Sequence, residues 1–251
     1  MSKFISKQSV AICYALTALL ATFIVGQVIL WFFPDGSSMG ASLLFILMNL
    51  IPMIVAAVFS LVLSEVNSLG EFFKKVFLQK ESSLSWILAF FIPVIYYGIS
   101  ILLMNVRFTG NSLLAFFLYF PWTLLYGGLE EVGWRWFLQD HLSFSKHFIP
   151  KMMLLSIVWF LWHIPIYQLP WITAGSSNYL IFYLMILGNT FLFGALKEYS
   201  KGAVPCILAH MLIDSLAVLM LVQSSLPQII LLVIFEILVS SWLVAIRKSE
   251  K

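Results

Sequence analysis

The chain of 251 residues is 62% hydrophobic and only 10% charged, with a mean hydropathy of +1.01. Soluble domains are nearer half apolar and a quarter charged, so this composition belongs to a polytopic membrane protein. The net charge of +3 is too small to imply nucleic acid, and the expected surroundings are membrane lipid. Cys13 and Cys206 lie in separate apolar runs without a motif, which supports neither a disulfide framework nor a cysteine metal site. Both are expected to be buried small hydrophobes.

Apolar runs of about 18 residues or more recur along the chain, the length of helical spans and not the ten-residue alternation of a membrane barrel. The first, 10–33, follows Lys3 and Lys7 and ends in Trp31-Phe32-Phe33-Pro34 with no small-residue cleavage site, so it reads as a span and not a signal peptide. A second span covers 41–64. Residues 69–78 then alternate apolar and charged positions at helical spacing, which predicts a short helix on the membrane surface. Further spans are expected at 85–105, 112–138, 149–168, 178–197, 203–222 and 227–246, eight in all. No internal repeat or linker divides them. The expected fold is all-α, a single integral-membrane domain over 1–251 with its polar motifs concentrated in about 112–222.

With eight spans both termini share one side. That side collects Lys3, Lys7, Lys74, Lys75, Lys80, Arg135, Lys146, Lys151, Lys197, Lys201, Arg247, Lys248 and Lys251, and the other keeps only Arg107. Positive-inside bias places both termini in the cytoplasm.

Apart from Lys151 and Lys197 at span ends, seven acidic, basic or histidine residues fall inside the spans, and six form three groupings: Glu130-Glu131 with Arg135, then His163, then His210 with Asp214. Ionisable groups at membrane depth are costly unless paired or wet, and mark function by default. At a rise of about 1.5 Å per residue from the nearest basic-side charge, Glu130, His163 and His210 lie roughly 14–18 Å deep. That common level predicts one shared cavity, opening to the cytoplasm. Glu131 and Arg135 are i and i+4, as are His210 and Asp214, so each pair lines one helix face. Glu130 points about 100° away from Glu131. Gly127 and Gly128 remove bulk beside the acids, and Pro165 follows His163 closely enough to disturb its helix. Each grouping has an ordinary structural reading as an ion pair, a core histidine or an interhelical clamp. Glu236 stands apart and is expected to be protonated and hydrogen-bonded, or to line an unrelated wet pocket. Asn49 and Asn189 read as links between helices.

In order along the chain, Glu130-Glu131-Val-Gly-Trp-Arg135 has the form E-E-x-x-x-R, Trp159-Phe-Leu-Trp-His163 resembles F-x-x-x-H, and His210-Met-Leu-Ile-Asp214 has the form H-x-x-x-N/D. Together they resemble the CPBP family of intramembrane proteases, which includes CAAX prenyl-protein endopeptidases and bacterial proteins of bacteriocin processing, self-immunity and abortive infection (Abi). The resemblance implies a CAAX-endopeptidase-like fold and a glutamate-dependent hydrolase acting on a peptide or protein substrate. It implies Glu130 as the general base, His163 as its assistant, His210 as the oxyanion donor, and Glu131 and Arg135 as support. Two positions depart from the pattern. Trp159 replaces the usual Phe, and Asp214 stands where eukaryotic members have Asn. An ionised aspartate would repel an oxyanion, so Asp214 is expected to be protonated, to orient His210, or to ligate a metal.

No cofactor is expected, with Zn²⁺ at Glu130, His163 and His210 as the metalloprotease alternative. The expected function is cleavage of a peptide, tail or leader near the cytoplasmic face of a cell membrane, and the short loops suggest a bacterial source. The alternative is a non-proteolytic immunity or abortive-infection protein that keeps the fold. A transporter is disfavoured by the lack of paired repeats.

Overall fold

The computed structural model describes residues 6–143, 147–172, 178–223 and 225–249, so Lys3, Lys146 and Lys251 of the charge count lie outside the described residues. The helices are α1 (Lys7–Phe32), α2 (Met39–Val62), α3 (Leu69–Phe77), α4 (Ser83–Leu102), α5 (Leu113–Thr123), α6 (Gln139–His141), α7 (Phe148–Tyr167), α8 (Tyr179–Tyr199), α9 (Val204–Leu216) and α10 (Leu226–Ser249). Ser6, Ser38, Ser68, Ser82 and Asn178 start α1, α2, α3, α4 and α8 by accepting a backbone N–H of the first turn. Each satisfies a donor that the helix itself cannot.

Six of these helices are long and apolar enough to cross a membrane. The expected span 112–138 is a bent element: α5 passes into a π-helical turn at Leu124–Gly128, a second π-helical stretch runs over Val132–Leu138, and the two halves meet at 45°. Such wide turns are rare and gather at functional sites. Counted as one, this element makes seven spans. The remaining expected span, 203–222, is the shorter apolar helix α9 followed by a strand, so eight is an approximate count. That strand, β2 (Met220–Val222), pairs antiparallel with β1 (Val106–Phe108), a small sheet that apolar periodicity did not predict.

The surface helix α3 forms as expected. Phe72 and Val76 are buried beneath it with Val66, Val132, Ala203, Ile207 and Met211, while Glu71 and Lys75 pair on its exposed side. This cluster fills the lysine-rich end of the molecule. Lys201 N and Gly202 N donate to Glu81, Ala203 N donates to the Val76 carbonyl, and Lys197 pairs with Asp140, all at that end. At the opposite end Thr109 N donates to the Leu219 carbonyl and Gln228 Nε2 to the Leu103 carbonyl.

Three expectations of detail change. Cys13 is exposed on α1, and only Cys206 is buried. Asn49 donates to the Phe45 carbonyl of its own helix, so this bond links no helices. Glu236 is fully buried, yet neither carboxyl oxygen has a hydrogen-bond partner among the described residues.

Candidate active site

Helix α9 lies against the π-helical turn of the bent element because Gly127 and Gly128 present no side chains to it. A Cβ at Gly127 would overlap Asp214 Oδ2 and press on His210 Nε2, and one at Gly128 would press on Met211 and Ile207. This close approach lets His210 reach both acids. Its Nδ1 donates to Glu131 Oε1 at 2.8 Å, and its Nε2 stands 3.6 Å from Glu130 Oε1 and 3.5 Å from Asp214 Oδ2. Glu130 and Glu131 do diverge around their helix, but one imidazole bridges them through its two nitrogens. Phe193 stacks on the His210 ring and Trp159 meets it edge-on, which fixes the ring plane.

Glu131 is fully buried, and its other oxygen accepts from Arg135 Nε at 2.8 Å, the expected i,i+4 pair. Arg135 is also fully buried. Its guanidinium lies over the Trp159 ring at 4.9 Å, and Nη1 makes a long 3.4 Å contact with the Thr190 carbonyl. A buried charge held by a carboxylate and a π face is far better compensated than an isolated one.

Glu130 is held differently. Its Oε2 accepts the indole N–H of Trp134 at 3.0 Å and of Trp159 at 3.1 Å, which leaves Oε1 on the side of His210. Neither indole was foreseen as a site residue. The only sequence signal for Trp159 was its departure from Phe, and it proves to supply a donor that Phe lacks.

His163, on α7, donates from Nδ1 to the Trp159 carbonyl at 2.8 Å. A carbonyl can only accept, so Nδ1 carries the hydrogen and Nε2 keeps a lone pair for a water or substrate donor. His163, His210 and Asp214 line one cavity of about 760 Å³, together with Tyr96, Tyr97, Tyr167 and Asn189. The fold therefore brings all six sequence-predicted residues into one region. Five are linked by direct ion pairs, and His163 joins them through Trp159 and the shared cavity.

The cavity extends away from the lysine-rich end. Its lining continues to Arg107 and to Met220, Leu221, Val222 and Gln223 at the sheet. The lysine-rich end is filled by the α3 cluster. Depth along the helices predicted where the polar groups meet, but it carries no information on which end is plugged. As for the Zn²⁺ alternative, no group of three or more His, Cys, Asp and Glu side chains among the described residues is arranged to hold a metal ion.

Residues 112–216 match the family model described as Type II CAAX prenyl endopeptidase Rce1-like. No curated protein matches the chain. The matched segment holds the bent element, α7, α8 and α9, and with them all six predicted residues. This site-bearing segment, less than half of the chain, is thus similar to the Rce1-like proteases, in line with the resemblance its motifs carry.

Proposed function

We propose that this Rce1-like chain is an intramembrane endopeptidase in which Glu130 activates water and no metal takes part. The observation that carries the reading is the division of labour between two adjacent acids. Glu131 is committed to Arg135 and His210, whereas Glu130 has one oxygen anchored by two indoles and the other turned toward His210, which lines the cavity. In the proposed cycle Glu130 Oε1 takes one proton from water, while His163 Nε2 accepts a hydrogen bond from the O–H that remains and orients it. The water oxygen attacks the scissile carbonyl. His210, with hydrogen on both nitrogens, donates from Nε2 to the developing oxyanion while Glu131 holds Nδ1. Glu130 then returns its proton to the departing amine.

The charge distribution supports a cytoplasmic lysine-rich end. In that orientation the cavity faces the other side of the membrane, and cleavage is proposed there instead of near the cytoplasmic face. The whole chain acts as one membrane domain in this reading.

The decisive experiment is peptide cleavage by purified Glu130→Gln protein. Glutamine keeps the shape but cannot take the proton, so turnover should fall by about 10²–10⁴-fold. Cleavage at the wild-type rate removes Glu130 from the role. A wild-type protein that binds peptide without hydrolysing it favours the immunity-protein alternative. Sidedness is read separately: Gln223→Cys should react with a membrane-impermeant thiol reagent in intact cells and Lys75→Cys should not, the reverse pattern inverting the orientation.

A further inference from the structure

The active-site cavity runs along Met220, Leu221, Val222 and Gln223, four successive residues. Side chains of a strand alternate between its faces, so four in a row border one cavity only where the cavity follows the strand's edge. On the other edge β2 is paired with β1, with Arg107 opposite Leu221. The flanking bonds set the phase of the ladder: Gln223 N donates to the Asn105 carbonyl at 2.7 Å, and Thr109 N donates to the Leu219 carbonyl at 3.0 Å. In an antiparallel pair every second residue bonds to the partner and the residues between turn their N–H and C=O outward. Residues 219, 221 and 223 therefore face β1, and Met220 and Val222 turn their backbone groups to the cavity edge. Among the described residues the sheet has two strands, and no third lies beside β2.

We infer that the substrate is an extended peptide segment that adds to β2 as a third strand, an assignment that rests on the endopeptidase reading above. An exposed strand edge supplies main-chain hydrogen bonds to any extended peptide, and pockets beside it select alternate side chains. Strand addition would also keep the peptide out of helical form, with its carbonyls separated from one another, as it leads into the cavity of His163 and His210. The walls specify the peptide's chemistry. Tyr96, Tyr97, Phe182, Met185 and Ile213 favour apolar and aromatic side chains, and Arg107, the cavity's one Lys or Arg among the described residues, favours an acidic group near the mouth.

The probe is a synthetic pool of apolar decapeptides, each with one acidic residue, offered to the full-length protein in detergent. The best-cleaved member is remade with a single N-methyl group at each amide in turn. Strand addition predicts KM raised roughly 3–10-fold at every second amide, the worth of a lost backbone hydrogen bond, with kcat little changed. An N-methyl profile without a two-residue period overturns the inference. On the protein side, Val222→Pro deletes an outward N–H without touching the bonds to β1 and should raise KM similarly, and an unchanged KM overturns the inference. If the wild-type protein cleaves no member, the endopeptidase reading fails. Docking is then read by disulfide capture of a cysteine-bearing pool: stronger capture by Val222→Cys than by Leu102→Cys sustains it, and equal capture overturns it.

Discussion

The indole N–H of Trp159 donates to Glu130 Oε2 at 3.1 Å, joining α7 to the bent element at the acid proposed to activate water. The same ring lies under the Arg135 guanidinium and against His210, so a single side chain positions both halves of the site.

Trp159→Phe keeps the aromatic wall and removes only the N–H. Trp134 still holds Oε2, so the single variant should lose about tenfold in kcat with KM unchanged. The double variant Trp134→Phe/Trp159→Phe leaves the carboxylate unanchored and should lose clearly more. Steady-state kinetics of the three proteins test this. Equal kcat in all of them would mean that neither indole positions Glu130.

Arg135→Ala leaves the Glu131 carboxylate buried without its guanidinium, a loss of about 3–5 kcal/mol for a broken buried pair. Folded yield and the thermal midpoint in detergent should both fall. Glu131→Gln/Arg135→Met removes both charges and should recover much of that stability. It should not recover turnover, because His210 Nδ1 then lacks its carboxylate acceptor. Recovery of activity together with stability would reduce the pair to a structural role.

Gly127→Ala places a methyl on Asp214 Oδ2 and against His210 Nε2. Overpacking of this kind costs about 1–3 kcal/mol, and a displacement near 1 Å at a reacting group can cost about 10² in rate. Turnover should therefore fall much further than the thermal midpoint. Gly98→Ala, on α4, meets nothing within 4 Å and serves as the control. Equal activity of the two variants would show that α9 can retreat without consequence for the chemistry.

The groupings were legible because ionisable residues stand out against oil, and i,i+4 spacing survives in the structure for Glu131 with Arg135 and for His210 with Asp214. Surface helix α3 was legible from its alternation of charge. The π-helical turns at 124–128 and 132–138 were not. They depend on what the backbone packs against, and their residues are as apolar as those of a regular helix. Pairing of β1 with β2 joins positions more than a hundred residues apart, which local periodicity cannot report. The cavity's extension toward the sheet was not legible for a related reason. Phe72 and Val76 of α3 meet Val66, Val132 and Ile207 from other stretches of chain to fill the lysine-rich end, and only the assembled fold shows that they do.

Asp214 separates the metal-free reading from the zinc alternative. Its Oδ2 stands 3.5 Å from His210 Nε2, and its side chain is about one-third exposed to the cavity. An aspartate that works uncharged, or that only orients His210, is copied by asparagine, which keeps the shape and can still accept or donate a hydrogen bond. Asp214→Asn should then retain much of the activity, whereas Asp214→Ala removes the contact and should lose it. An ionised metal ligand behaves in the opposite way: asparagine weakens the site, chelation abolishes turnover, and added Zn²⁺ restores it. Metal analysis of active protein beside the kinetics of both variants separates the two chemistries. Stoichiometric zinc that disappears together with activity in Asp214→Asn would establish the metalloprotease, and full activity in chelator with Asp214→Asn still turning over would establish glutamate-activated water.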